Sequence, residues 1–376
     1  MKNTIFILLI LLVSSCKKAF IDSLPDCESS KPVFIALPIN EDMIANFIPL
    51  GNTNQPSHVF PSGHHYFDIK PSTHNIPVYS IMDGWIISVT SVKRVNDPTF
   101  QEYDFTIASC KDVQVTYGHV NYLTDEILAA LPECTDPIEY TTGGITGARC
   151  KYKTEIAIHA GQKLGEVKAS SGISGIDLGA TDTRVDYPYV DPDRWNEKGV
   201  DETYIHSVNI LDYYTPEIRN ILHYFISDLN MTCIHRTIEP LGGEICYDIA
   251  GTVMGLWFKP GESCNPEDVH LSLIKENFNP AKQMISTGIS VPGLNPGAYE
   301  FYPEKNGIVN RDFSQVTNDG KIYMFHNFVN VWDQPLLFDG VILIQLIDDQ
   351  TLRIEKQNES DGPDWKFKNN YFEFKR

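Results

Sequence analysis

Basic side chains are scarce in this chain. Lys and Arg total 30 against 49 Asp and Glu, a net charge of −19 over 376 residues. A surface of that sign repels phosphate backbones, which excludes nucleic acid as a partner, and it disfavours docking on an anionic membrane by charge alone. Apolar runs long enough to cross a bilayer are also missing: the run 5–13 falls well short of the roughly 20 residues a spanning helix needs. The cysteines show no C-x-x-C spacing of the kind that closes a structural zinc site. The C-terminal half has no Gly-rich phosphate loop, no serine nucleophile elbow and no paired acid/base spacing, and no internal repeat recurs. Helix signals are few.

What is present is a long series of short apolar stretches separated by Gly, Pro and Asp. Strands are predicted over 33–38, 77–80, 84–92, 103–109, 113–119 and 162–167, then over 249–258, 269–274, 284–289, 298–301, 321–325, 341–347, 352–355 and 371–374. Two helices stand out: a short one at 124–131 capped by Thr124, and one within 213–229, where Pro216 suits the first turn. The fold class is mainly β: an antiparallel β domain at 33–183, a linker and helix at 184–230, and a second β-rich domain at 231–376, sandwich or barrel-like. The aromatics of that second domain read mostly as core, with a sugar or peptide cleft as the alternative.

Lys2, the apolar run 5–13 and the small pair Ser14-Ser15 form an export signal. Leu12-Val13-Ser14-Ser15-Cys16 resembles the lipobox of bacterial lipoproteins. The resemblance implies cleavage of 1–15, lipidation of Cys16, a tether at 16–32, and a protein held on the exported side of a bacterial envelope membrane. Acyl chains contribute about 0.8 kcal/mol per buried methylene, so several of them anchor where one does not. In an exported protein the remaining cysteines can pair. Cys134 with Cys150 would close a local loop, and Cys233 with Cys246 a hairpin around Leu241-Gly242-Gly243.

The densest set of candidate ligands lies between His58 and Ile87. His64 and Asp68 are four apart, and Pro77 to Ile86 (PVYSIMDGWI) reads as strand, Asp-Gly turn and strand. Tyr117-Gly118-His119 follows, and then Gly161-Gln162-Lys163-Leu164-Gly165 before another strand. In this order the elements resemble the LytM-like (M23) zinc endopeptidases of peptidoglycan, over about 38–182. The resemblance implies His64 and Asp68 as metal ligands, His119 as a catalytic histidine, and peptidoglycan peptide as the partner.

That family closes its site with His-x-His, whereas Ser174-Gly175-Ile176-Asp177-Leu178-Gly179 stands here. Gly175 occupies the place of a catalytic histidine and Asp177 that of the third ligand. A site of His64, Asp68 and Asp177 would set two carboxylates against a 2+ ion, weakening the Lewis acid and relaxing the preference for zinc towards other divalent metals. Loss of a general acid or base costs on the order of 10² to 10⁴ in rate. The expectation is therefore a degenerate domain, impaired or inactive as a peptidase, with zinc or another divalent metal optional. It would bind cell-wall peptide or an envelope protein as a regulator of wall remodelling. An active endopeptidase with altered ligands and a surface adhesion or scaffold lipoprotein are the alternatives. Taken singly, the same residues read more plainly: His64 and Asp68 as a hydrogen-bonded pair, His119 as a satisfied core histidine, Asp177 as a solvent-facing strand residue, His65 and His74 as exposed loop histidines, and His159 as a surface one.

Overall fold

The computed structural model describes residues 20–28, 33–142, 145–171, 174–196, 203–227, 234–358, 365–368 and 370–376; the expected leader, Cys16 and Cys233 lie outside them. The chain is mostly antiparallel β, as its short strands predict. The N-terminal strands are β1 (Ile44–Ile48), β2 (His65–Ile69), β3 (Ile76–Tyr79), β4 (Gly84–Arg94), β5 (Asp97–Ala108), β6 (Val113–Val120), β7 (Tyr122–Leu123), β8 (Ile138–Thr142), β9 (Ile145–Ile158), β10 (Lys163–Val167), β11 (Ser174–Asp182) and β12 (Ser207–Val208). One sheet runs β1-β2-β11-β6-β5-β4-β9-β8 with β12 added beside β11, and β3-β10-β7 form a smaller one.

Successive side chains on a strand point to opposite faces, and this places the first core. Phe67 and Ile69 of β2, Val113, Val115 and Tyr117 of β6, and Ile176, Leu178 and Ala180 of β11 are all buried in it. Tyr66, Asp68, Gly118 and Asp177 are left on the opposite face. His65 corrects the expectation of a loop histidine. It opens β2 on the inward phase, is fully buried, and stacks on Phe47 with ring centroids 5.2 Å apart. Burial holds its pKa down to about 3, so it stays neutral.

The expected strand at 33–38 is reduced to a single bridge from Phe34 to Tyr214, and 249–258 contracts to a three-residue strand. The short helix α1 (Asp125–Ala130) follows Thr124, and α2 (Thr203–His206) is a single turn. The helix α3 (Pro216–Phe225) starts where Thr215 Oγ1 accepts from the Ile218 N–H and ends before Ile226; Leu222 and Ile226 join the first core. Residues 20–28, read from sequence as part of a tether, lie against the first sheet: Leu24 is buried, and Cys27 is disulfide-bonded to Cys110. Cys134 pairs with Cys150 as expected. Cys246 is a free thiol, and among the described residues no strands flank 241–243 to make the expected hairpin.

The C-terminal strands form two four-stranded antiparallel sheets: β13 (Gly255–Trp257), β14 (Leu271–Lys275), β15 (Gln283–Thr287) and β16 (Gly297–Phe301) in one, and β17 (Tyr323–Phe325), β18 (Val341–Asp348), β19 (Thr351–Gln357) and β20 (Phe372–Lys375) in the other. They share one core, to which Trp257, Phe301, Phe325 and Phe374 contribute. Most of the aromatics there are thus interior, while Tyr302 and Trp332 are exposed.

That second core is not built from the C-terminal half alone. The connection from β1 to β2 sends Leu50, Val59 and Phe60 into it, and Tyr189, Trp195 and Tyr204 join from the segment expected to be a linker. Phe60 stacks on His270 with centroids 5.2 Å apart, and the Val59 carbonyl accepts from the hydroxyls of Ser272 and Ser286, each at 2.7 Å. Apolar burial explains the detour, since each such side chain contributes about 1.5 to 3 kcal/mol when removed from water.

Candidate functional site

On the face of the large sheet turned away from its core, Asp177 of β11 lies opposite Tyr66 of β2 on one side and Gly118 of β6 on the other. A Cβ at Gly118 would stand 3.2 Å from the Asp177 Cβ, so glycine there leaves room for the carboxylate. His119 follows with φ of 62°, a left-handed backbone that costs a non-glycine residue free energy. The β5–β6 register shifts between Tyr103 and Phe105, a bulge in which Asp104 Oδ1 accepts from the His119 N–H at 3.4 Å. These two departures swing the His119 ring over the sheet.

The result is a row of alternating acids and imidazoles. His119 places Nδ1 3.2 Å from Glu102 Oε2 and Nε2 3.2 Å from Asp177 Oδ2. His64, just ahead of β2, brings its Nε2 to 3.4 Å from the same Asp177 oxygen. Its ring packs edge-on against Tyr66 and sits 5.7 Å from that of His58. His58 Nδ1 is 3.6 Å from Oε1 of Glu267, which also accepts from the Tyr204 hydroxyl at 2.5 Å, while Glu267 Oε2 accepts from the Phe60 N–H at 3.2 Å. The row therefore runs from the large sheet into the second core.

Hydrogen bonds to Asp177 and then Glu102 push the His119 pKa up to about 11, although the ring is 54% exposed and water screens part of that interaction. Burial raises the Asp177 pKa, but the hydrogen bond from His119 and the neighbouring histidine charge outweigh it and leave the carboxyl below its ordinary range. Burial lowers His64, the Glu267 carboxylate beside it raises His58, and burial raises Asp104. At neutral pH the centre of the row is an imidazolium–carboxylate pair. A protonated His119 has no lone pair with which to take a proton, so in this arrangement it is not poised as a general base.

Of the residues singled out from sequence, the structure gathers His64, His119 and Asp177. Asp68 is two residues further along β2, beside Asn46 on β1 and Gly175 on β11, and its Oδ2 accepts from Asn46 Nδ2 at 3.3 Å. A metal of the LytM-like kind needs His64, Asp68 and a third ligand to meet at one point. Among the described residues no three of His, Cys, Asp and Glu are arranged to hold a metal ion. The donors, as placed, do not fit that group. Sequence reasoning missed Glu102, Asp104, Tyr204 and Glu267. Asp104 alternates with Tyr103 and Phe105 on the strand predicted over 103–109, and Glu102 just precedes it on the same phase; Glu267 carries no local signal at all.

Fold and site together define a mostly antiparallel β protein with a histidine–carboxylate row at the seam of two cores. No family model and no curated protein matches the sequence. Among solved structures it is similar to a zinc-containing peptidase from Vibrio cholerae, at 14% identity and a TM-score of 0.25, over 41% of this chain and 38% of that one. The match spans well under half of either chain, and an overlap this loose carries no argument about activity.

Proposed function

We propose that this chain is a lipid-anchored envelope protein, held through Cys16, whose first β unit binds a cell-wall peptide or an envelope partner without hydrolysing it, as a regulator of wall remodelling. One observation carries the reading: His119 is held between Glu102 and Asp177, each at 3.2 Å, as a protonated ring, which leaves it no lone pair to serve as a free ligand or base. The test is elemental analysis of the mature protein and of His64→Ala, with release of wall fragments assayed in parallel. The expected outcome is no stoichiometric metal, no release, and saturable binding of wall peptides that Asp177→Ala weakens. Stoichiometric metal that disappears with His64→Ala, together with hydrolysis, would overturn it in favour of an active metal-dependent endopeptidase. The left-handed backbone of His119 favours that second reading, because strain of this kind concentrates at working sites.

A further inference from the structure

We infer that the C-terminal unit holds a separate binding site, a cavity of about 160 Å³ between the loop at Asn52 and the sheet β14–β16, built to receive the acetamido group of a neutral amino sugar. A water molecule takes up about 30 Å³ of liquid, so the space accepts a small functional group rather than a single solvent molecule.

Its polar groups are specific. Asn52 and Asn277 line the cavity at 7% and 2% exposure, and among the described residues Asn52 Nδ2 and Asn277 Oδ1 have no hydrogen-bond partner. A buried donor or acceptor left unmade is costly, so each requires a complement from within the cavity. Asn277 is oriented by its Nδ2, which donates to the Pro49 carbonyl at 3.3 Å and leaves Oδ1 as the acceptor. Phe278, Met284 and Ala298 give the cavity an apolar wall. One donor, one acceptor and an apolar surface match a secondary amide with a methyl group: its carbonyl accepts from Asn52, its N–H donates to Asn277, and its methyl meets the wall.

Charge narrows the choice further. Glu276 and Glu300 also border the space, which disfavours an anion. Both carboxylates are already engaged: Glu276 accepts from the N–H groups of Phe278 and Asn279, and the buried Lys282 Nζ lies 2.7 Å from Glu300 Oε2. A ligand ammonium would find no carboxylate to itself. A sugar is favoured over a peptide by exposed aromatics that neighbour lining residues along the chain. Val331 lines the cavity, and the next residue, Trp332, is 44% exposed. Tyr302, 48% exposed, donates to Asp333 Oδ1 at 3.1 Å, and Asp333 holds a left-handed φ of 59°. Exposed aromatic faces suit the C–H surface of a pyranose ring.

The test is calorimetric titration of the whole mature chain with N-acetylglucosamine, glucose, glucosamine and N-acetylalanine methylamide. N-acetylglucosamine should saturate the protein while the other three bind at least about tenfold more weakly, and Asn52→Ala and Ala298→Leu should each weaken it about tenfold. Should Asn52→Ala lower the melting temperature sharply, Ala298→Leu, which fills the space from a half-buried strand position, is read alone. His119→Ala should leave this binding unchanged, which separates the site from the row on the first sheet. Several results would overturn the inference: no saturable binding, which makes the cavity a water site; equal binding of glucose or of the methylamide; tighter binding of glucosamine; or insensitivity to both variants.

Discussion

Asp177 lies beside two imidazoles whose pKa values move in opposite directions, and the pH dependence of its pair with His119 follows from signs alone. The His119 pKa in the folded protein, about 11, lies above the ordinary 6.5, so its contribution to stability is complete below about pH 6.5 and fades as pH climbs towards 11. That of Asp177 lies below the ordinary 3.8, so its contribution is present above that value and is lost as pH falls through the lowered one. A double-mutant cycle of His119→Ala and Asp177→Asn, measured by chemical denaturation, should give a coupling of about 1 kcal/mol or less, largest between about pH 4 and 6.5 and shrinking by pH 9. A coupling that grows with pH would contradict the assignment. Gly175 supplies a second check at this scale. A Cβ there would stand 2.9 Å from the Phe67 carbonyl, so Gly175→His requires β2 to shift. We expect it to lose about 1 to 3 kcal/mol of stability and to gain no wall hydrolysis.

The elements differ in how much of them could be read beforehand. The helix α3 was legible because Pro216 and a 3.6-residue apolar period coincide; the Thr215 cap emerges only in the structure, and cap and core weigh differently. Thr215→Ala removes one cap and should cost about 1 kcal/mol, whereas Leu222→Ala opens the first core and should cost about 2 to 5 kcal/mol, both readable from urea midpoints. Strands β4, β6 and β10 were legible from alternation. His65 was misread because a polar ring at an inward position looks like a loop residue until β2 is paired on both sides. The gathering of His64, Asp177 and His119 followed from the order of motifs along the chain. Glu102 and Asp104 enter through a bulge and Glu267 through a 3₁₀ turn (Glu267–Val269) ahead of β14, neither of which leaves a periodic trace.

Two disulfides act on the molecule as a whole. The Cys27–Cys110 bond spans 83 residues and Cys134–Cys150 spans 16. By the chain-entropy argument they stabilise by about 4 to 5 and about 3 kcal/mol respectively. Cys110→Ser should therefore lower the melting temperature more than Cys150→Ser does, and reduction of the wild type should exceed either; the reverse order would mean that strain or residual structure dominates. The passage of Leu50, Val59 and Phe60 from the first sheet into the second core has a consequence of another kind. A gene fragment cut anywhere between the two halves carries one fold with a greasy loop and leaves the other with an unfilled interior. Recombination that swaps whole modules between proteins would fail at this junction, so the two cores are expected to have been inherited, duplicated and lost together.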